Sequence, residues 1–169
     1  NKQMSEERMA ELLAEMRDVE GREIDPEQPA IVTVGRFDDV KGIQGLINGF
    51  RQLLETLKEL KTLRKDGRRK INLVIAGGYA PDNPLGAMTF KVVKAMVRVS
   101  PYRDRIQIVA NYSGAYIGAL YRLAAKHRAP VVIASSVEGY GLTPDEAAAQ
   151  GAAVITSDAG GLRRFMILG

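Results

Sequence analysis

A chain of 169 residues, 46% hydrophobic and 26% charged, is long enough to bury one core and is balanced like an ordinary globular domain. It has no cysteine and a single histidine, His127, which excludes disulfide frameworks, thiolate metal sites and histidine-rich metal clusters. The formal net charge of +4 is modest, no apolar run approaches the roughly 18 residues of a membrane span, and no signal-peptide pattern is present, so a cytoplasmic location is expected.

The first predicted element is a helix over residues 5–17. Ser5 suits its N-cap, Glu6 and Glu7 its positive end, and Met9, Leu12, Leu13 and Met16 repeat at helical spacing. Such a methionine-rich stripe reads as a docking face for protein outside the chain. Gly21 closes the helix, and the polar stretch to Pro29 reads as a linker. Residues 1–29 are therefore expected to form an N-terminal helix and linker ahead of a domain over 30–169. The chain starts at Asn1 and its last helix has barely begun at Gly169, so it is expected to be a piece truncated at both ends.

From Ala30 strand and helix alternate. A short apolar strand over 31–34 precedes a long helix whose face carries Ile43, Leu46, Ile47, Phe50, Leu53, Leu54 and Leu57 and which stops near Gly67. Arg64, Lys65, Arg68, Arg69 and Lys70 crowd that end. A solvated helix C-terminus explains them. A membrane-surface or nucleic-acid patch is the rarer alternative, and the absence of interleaved aromatics argues against nucleic acid. A peripheral membrane contact has no other support. Further strands are predicted over 71–76, 106–110, 131–134 and 153–156. The helices between them carry Phe90, Val93 and Val97, then span 113–126 and 144–150, and an incomplete one follows Gly160 and Gly161. Short strands alternating with helices imply an α/β fold, a Rossmann-like parallel sheet with helices on both faces. Ligands of such sheets bind beyond the C-terminal ends of the strands, where this chain places Gly35-Arg36, Gly77-Gly78, Asn111-Tyr112-Ser113, residues 135–142 and residues 158–161.

The densest chemistry on that rim is Ser135-Ser-Val-Glu-Gly-Tyr-Gly-Leu-Thr-Pro-Asp-Glu146. Gly139 and Gly141 flank Tyr140 and let backbone approach a ligand. Thr143-Pro144-Asp145-Glu146 fits a helix start with Thr143 at the N-cap, Pro144 at N1 and Glu146 at N3. A capping box therefore explains Glu146 without a ligand, whereas Glu138, in the turn, has a carboxylate suited to sugar hydroxyls. Arg36, at a strand end, and Lys41, at a helix start beside Gly42, suit a phosphate clamp, although two exposed surface cations would look the same. Gly77-Gly78 either turns amides toward a ligand or permits a tight turn. Asn111 to Ser113 either meets a flat base edge or caps the next helix. His127, between Lys126 and Arg128, reads as a surface residue. No Gly-Lys-Ser/Thr follows Gly35 to Gly42, and no Gly-x-Gly-x-x-Gly follows the first strand, so a Walker A loop and an NAD fingerprint are excluded.

Val34-Gly35-Arg36-Phe37, Lys41-Gly42, Leu73 to Gly78, Glu138-Gly-Tyr-Gly-Leu-Thr-Pro-Asp-Glu146 and Gly160-Gly161, in this order and spacing across residues 30–165, resemble the C-terminal domain of retaining family 4 glycosyltransferases. Leu120-Tyr-Arg-Leu-Ala-Ala125 leans toward the sucrose-phosphate synthase and mannosylfructose-phosphate synthase branch. The resemblance implies one half of a GT-B fold, the donor-binding half, acting on a hexose such as glucose or mannose carried by a nucleoside diphosphate. By this likeness Arg36, Lys41 and Glu138 take the catalytic roles. Arg36 and Lys41 hold the diphosphate and stabilise the leaving group, and Glu138 contacts the transferred sugar. Gly35, Gly78 and the 139–143 backbone (Gly139, Tyr140, Gly141, Leu142, Thr143) cradle sugar and phosphate. Glu146 binds ribose, with the base near Asn111 and Tyr112. No cofactor and no essential metal are implied. The partners implied are a nucleotide sugar, an acceptor sugar or sugar phosphate, and an N-terminal GT-B domain that holds the acceptor. Nucleic acid is not among them. Retention is attributed to same-face attack without a firm protein nucleophile.

The chain departs from the family pattern where Ala134 replaces a usual Pro and where Arg164 stands three positions after Gly161 in place of a usual Glu. Two rival readings remain: a non-catalytic sugar-nucleotide sensor or subunit, and an epimerase or hydrolase on the same fold.

Overall fold

The computed structural model describes residues 3–61, 70–79, 82–139 and 141–163. Tyr140, Arg164, Gly67 and the basic run other than Lys70 lie outside the described residues. Helix α1 (Glu6–Glu15) leads to strand β1 (Ala30–Val34), helix α2 (Ile43–Lys61), strand β2 (Asn72–Gly77) and helix α3 (Pro84–Arg98). Strand β3 (Ile106–Ala110), helix α4 (Ala115–Lys126), strand β4 (Val131–Ile133), helix α5 (Leu142–Ala149) and strand β5 (Val154–Thr156) complete the alternation. Short 3-10 turns over Asp39–Lys41 and Arg103–Arg105 lead into α2 and β3, and residues 160–163 form another after β5.

The strands form one parallel sheet in the order β3-β2-β1-β4-β5. Successive side chains point to opposite faces of a strand, and here both faces are apolar. Ile31, Leu73, Ile75, Ile106 and Ile108 meet Ile43, Ile47, Phe50 and Leu54 of α2 and Val93 and Val97 of α3. Ala30, Val32, Val74, Ala76, Val109, Val131 and Ile133 meet α1, α4 and Ala147 of α5. Of the α2 positions expected on the buried face, Leu53 is exposed, because it lies at the margin of the stripe.

Two expectations for the first 29 residues are corrected. The stripe Met9, Leu12, Leu13 and Met16 is not a face left for outside protein: it is buried with Ala119, Leu120, Leu123 and Ala124 of α4. The segment after α1 is no slack linker either. It runs along β3, the outer strand, with the Val19 amide donating to the Ile108 carbonyl at 2.8 Å. The Gln107 side-chain amide donates to the Glu23 carbonyl at 2.8 Å, and Arg22, held by buried Asp18, donates to the Ile106 carbonyl at 2.6 Å. An uncovered strand edge offers a row of unpaired backbone groups, and this segment satisfies part of that row. His127 is half-buried, with Nε2 2.9 Å from the Pro26 carbonyl. At the end of α4 it stands at the N-terminal rim of the sheet, away from the loops discussed next.

Candidate functional site

In the strand order the chain winds outward from β1 through β2 to β3, then returns to add β4 and β5 on β1's other side. The loops after β1 and β4 therefore part in opposite directions, which leaves a crevice at their C-terminal ends. Hydrogen bonds lace the rim together. Gly35 donates to the Ala76 carbonyl at 3.0 Å, Phe37 to Gly78 at 3.0 Å, Asn111 to Gly77 at 2.9 Å, Ser136 to Val40 at 2.7 Å, and Gly161 to Glu138 at 2.9 Å. Phe37 is buried beneath the β1 loop and packs edge-on against Phe90 and Tyr79.

A cleft of about 600 Å³ opens there, lined among others by Gly35, Arg36, Gly78, Tyr112, Tyr121 and Glu146. Seven of the residues singled out in the sequence, Gly77 and Ser113 among them, thus share one wall system. Ser113, Gly114 and Gly118 add the start of α4, which has no side-chain cap, so the positive end of that helix borders the cleft. Arg36 has a side chain 82% exposed, with Asp38 as its ion-pair partner at 3.4 Å, and it is free to turn toward a ligand. Asp38 Oδ1 is buried without a hydrogen-bond partner.

Lys41 and Glu138 do not line this cleft. Their side chains pair with each other, Nζ to Oε2 at 2.6 Å, each 18% exposed. The pair adjoins the cleft through Gly35, where an added Cβ would meet the Lys41 stem at 3.5 Å. The hydrogen bond from Lys41 holds the Glu138 carboxyl below its ordinary value against the opposing effect of burial, and Lys41's charge, the Ser135 hydroxyl and the Gly139 amide act in the same direction as Lys41. Ser135 Oγ lies 3.4 Å from Glu138 Oε2. Glu138 is thus held by Gly161 on its backbone and by Lys41 and Ser135 on its side chain.

The remaining predicted residues divide. Gly139 faces open space. Asn111, at φ +64, uses its amide to bind β2, and the Tyr112 hydroxyl accepts from the Arg17 amide at 3.1 Å. Gly77 serves packing, since a Cβ there would lie 1.9 Å from the Gly35 carbonyl oxygen. The expected capping box is corrected. Gly141, at φ +71, turns the chain so that α5 begins at Leu142, and Thr143 is inside the helix and not its cap. Glu146 then lies one turn into α5, with its carboxylate beside the Tyr121 hydroxyl at 3.4 Å. Tyr121 was missed as a site residue because a tyrosine among Leu and Ala on a helix reads as core. Ser135 begins the motif but was given no role of its own there, and Asp38 was missed for want of any spacing signal. Among the described residues no three His, Cys, Asp or Glu side chains come together as metal ligands, and no helix is long and apolar enough to cross a membrane.

Residues 16–169 match the family model described as glycosyl transferases group 1. The chain is 27% identical over 155 residues to a trehalose synthase of Thermococcus litoralis, covering 91% of this chain and 34% of that protein. It is 28% identical over 139 residues to a sucrose-phosphate synthase of Zea mays, covering 80% of this chain and 12% of that protein. A solved sucrose-phosphate synthase of Thermosynechococcus elongatus superposes with a TM-score of 0.70 at 25% identity, over 96% of this chain and 33% of the other. The chain spans about a third or less of the curated relatives it matches.

Proposed function

The chain belongs to the glycosyl transferases group 1 family, and on that premise we propose that it is the donor-binding half of a retaining glycosyltransferase that takes a hexose from a nucleoside diphosphate sugar. The observation that carries this reading is the shared cleft at the sheet's switch point. Cationic Arg36 and the Gly35 and Gly78 backbone stand on one side, Glu146 on the other, and the Lys41–Glu138 pair adjoins Gly35. A volume of about 600 Å³ falls in the range of small-ligand sites, roughly 300–1,000 Å³.

In this reading Arg36 and Lys41 hold the diphosphate and, as the glycosidic bond breaks, stabilise the negative charge on the departing nucleotide. Glu146 accepts hydrogen bonds from ribose, and the base lies toward Asn111 and Tyr112. Glu138 contacts the transferred sugar beside the 139–143 backbone. The residues of the chain suffice to hold this donor without a metal. Relatives named trehalose synthase and sucrose-phosphate synthase support a sugar or sugar phosphate as acceptor, held by a further domain.

Calorimetry of the chain with UDP-, GDP- and ADP-glucose and with GDP-mannose tests the reading. One of them binds, and Arg36→Ala weakens it by ~10- to 100-fold, the loss expected for a charge-assisted hydrogen bond of about 1.5–3 kcal/mol. A folded chain that binds none of them sinks the proposal.

A further inference from the structure

Tyr121 is 1% exposed and sits in the core cluster with Leu120, Leu123 and Ala124. Phenylalanine would fill that space as well. The hydroxyl is the costly part, because a buried polar group needs a partner. Both of its neighbours come from α5: Glu146, whose Oε2 lies 3.4 Å away, and the hydrogen-bonding side chain of Thr143. Residues three apart share a helix face, so one phenol addresses one face of α5.

Helix α5 has eight residues, no side-chain cap and only Pro144 and Ala147 buried. Glu146 itself is exposed, and a free glutamate on such a helix samples several rotamers that a ligand would have to quench. Tyr121 has no such freedom, since its ring is packed. Burial pushes its phenol well up from the ordinary value, and the Glu146 charge adds to this, so it stays a neutral donor. The bond engages one carboxylate oxygen and leaves the other for a ligand. Tyr121 and Glu146 both line the cleft.

We propose that Tyr121 is a positioning residue for Glu146, holding its carboxylate in the orientation that accepts the ribose hydroxyls of the donor. The inference rests on the donor reading above. It makes α4, through one hydroxyl, part of how the site distinguishes a ribonucleotide from a nucleotide lacking those hydroxyls.

The test is calorimetry on the chain with UDP, GDP and ADP, followed by the 2′,3′-dideoxy counterpart of the tightest binder and by inorganic pyrophosphate. Wild type, Tyr121→Phe, Glu146→Ala and the double variant are compared, with thermal unfolding as the check on folding. Tyr121→Phe is expected to weaken the ribonucleotide about 3- to 10-fold, the effect of one modest hydrogen bond. It should leave pyrophosphate unchanged, shrink the preference for ribo over dideoxy, and add nothing to Glu146→Ala. An unchanged ribo-to-dideoxy ratio, an equal loss on pyrophosphate, or full additivity with Glu146→Ala overturns the inference while the donor reading stands. A wild type that binds none of the three nucleotides overturns both. If Tyr121→Phe does not fold, carbon-13 relaxation of the Glu146 side chain in the wild-type chain takes its place. A side chain already rigid without nucleotide supports the inference, and one that stays mobile until nucleotide binds overturns it.

Discussion

Lys41 and Glu138 illustrate how two residues with separate expected tasks constrain each other. The Lys41 ammonium is paired, at 2.6 Å, with a carboxylate that is itself mostly buried. A diphosphate that reaches Lys41 must share it with Glu138 and tolerate the carboxylate's negative charge. Glu138→Gln is therefore expected to tighten inorganic pyrophosphate by several-fold, on the order of the 1.5–3 kcal/mol of a charged hydrogen bond at most, while removing the sugar contact. Calorimetry showing equal or weaker pyrophosphate binding would refute this. The pH dependence has a definite sign. Glu138 titrates below its ordinary value when folded, so the pair's stabilisation is fully present above the unfolded carboxyl value of about 4.3. It is lost as pH falls through the depressed folded value. A carbon-13 carboxyl titration should show this low midpoint, and Lys41→Met should move it upward. Glu138 was legible as a candidate because it stands in a turn without a structural excuse, and Lys41 because, with Arg36, it stands at a helix start that suits a phosphate clamp. Their pairing was not, since they stand 97 positions apart in a chain whose winding alone brings the loops after β1 and β4 together.

Elements enter through the turns that present these side chains. Gly42 follows the 3-10 turn that carries Lys41, has φ +66, and a Cβ there would lie 2.1 Å from the Ala134 carbonyl oxygen. Gly42→Ala is expected to lower stability by at least ~1–3 kcal/mol from backbone strain alone, read from the urea midpoint, and to weaken nucleotide binding with it. Gly139→Ala, with nothing within 4 Å of the added atom, should leave the midpoint unchanged and serves as the control. The same turns explain where periodicity misled. Thr143-Pro144-Asp145-Glu146 has the residue order of a helix start, but the left-handed Gly141 reverses the chain earlier and α5 begins at Leu142. Local residue preference favoured one start, and packing of Gly141 against Leu162 accompanies another.

At the scale of the molecule, winding order places the cleft between the diverging β1 and β4 loops, while the covered β3 edge and the α1–α4 contact pack α1 and residues 17–24 onto the sheet and its helices. The chain covers 34% of the trehalose synthase it matches. Donor binding and acceptor binding are therefore expected to separate: the chain alone should bind nucleotide sugar and transfer no labelled hexose to glucose, fructose 6-phosphate or glucose 6-phosphate. Transfer by the isolated chain at a rate above donor hydrolysis would show that the acceptor site is within it.

The sequence by itself determined the alternation of strands and helices, the parallel two-faced sheet and which loops gather on its C-terminal rim. Apolar periodicity, short strands and glycine-marked turns are local properties, readable one segment at a time. Only the tertiary structure decided what covers the α1 stripe, that residues 17–24 bind the β3 edge, that Lys41 answers Glu138, and that Tyr121 stands behind Glu146. Each of these joins groups far apart in the chain, and the partner of a buried charge, hydroxyl or apolar face is set by packing geometry, which no local pattern encodes.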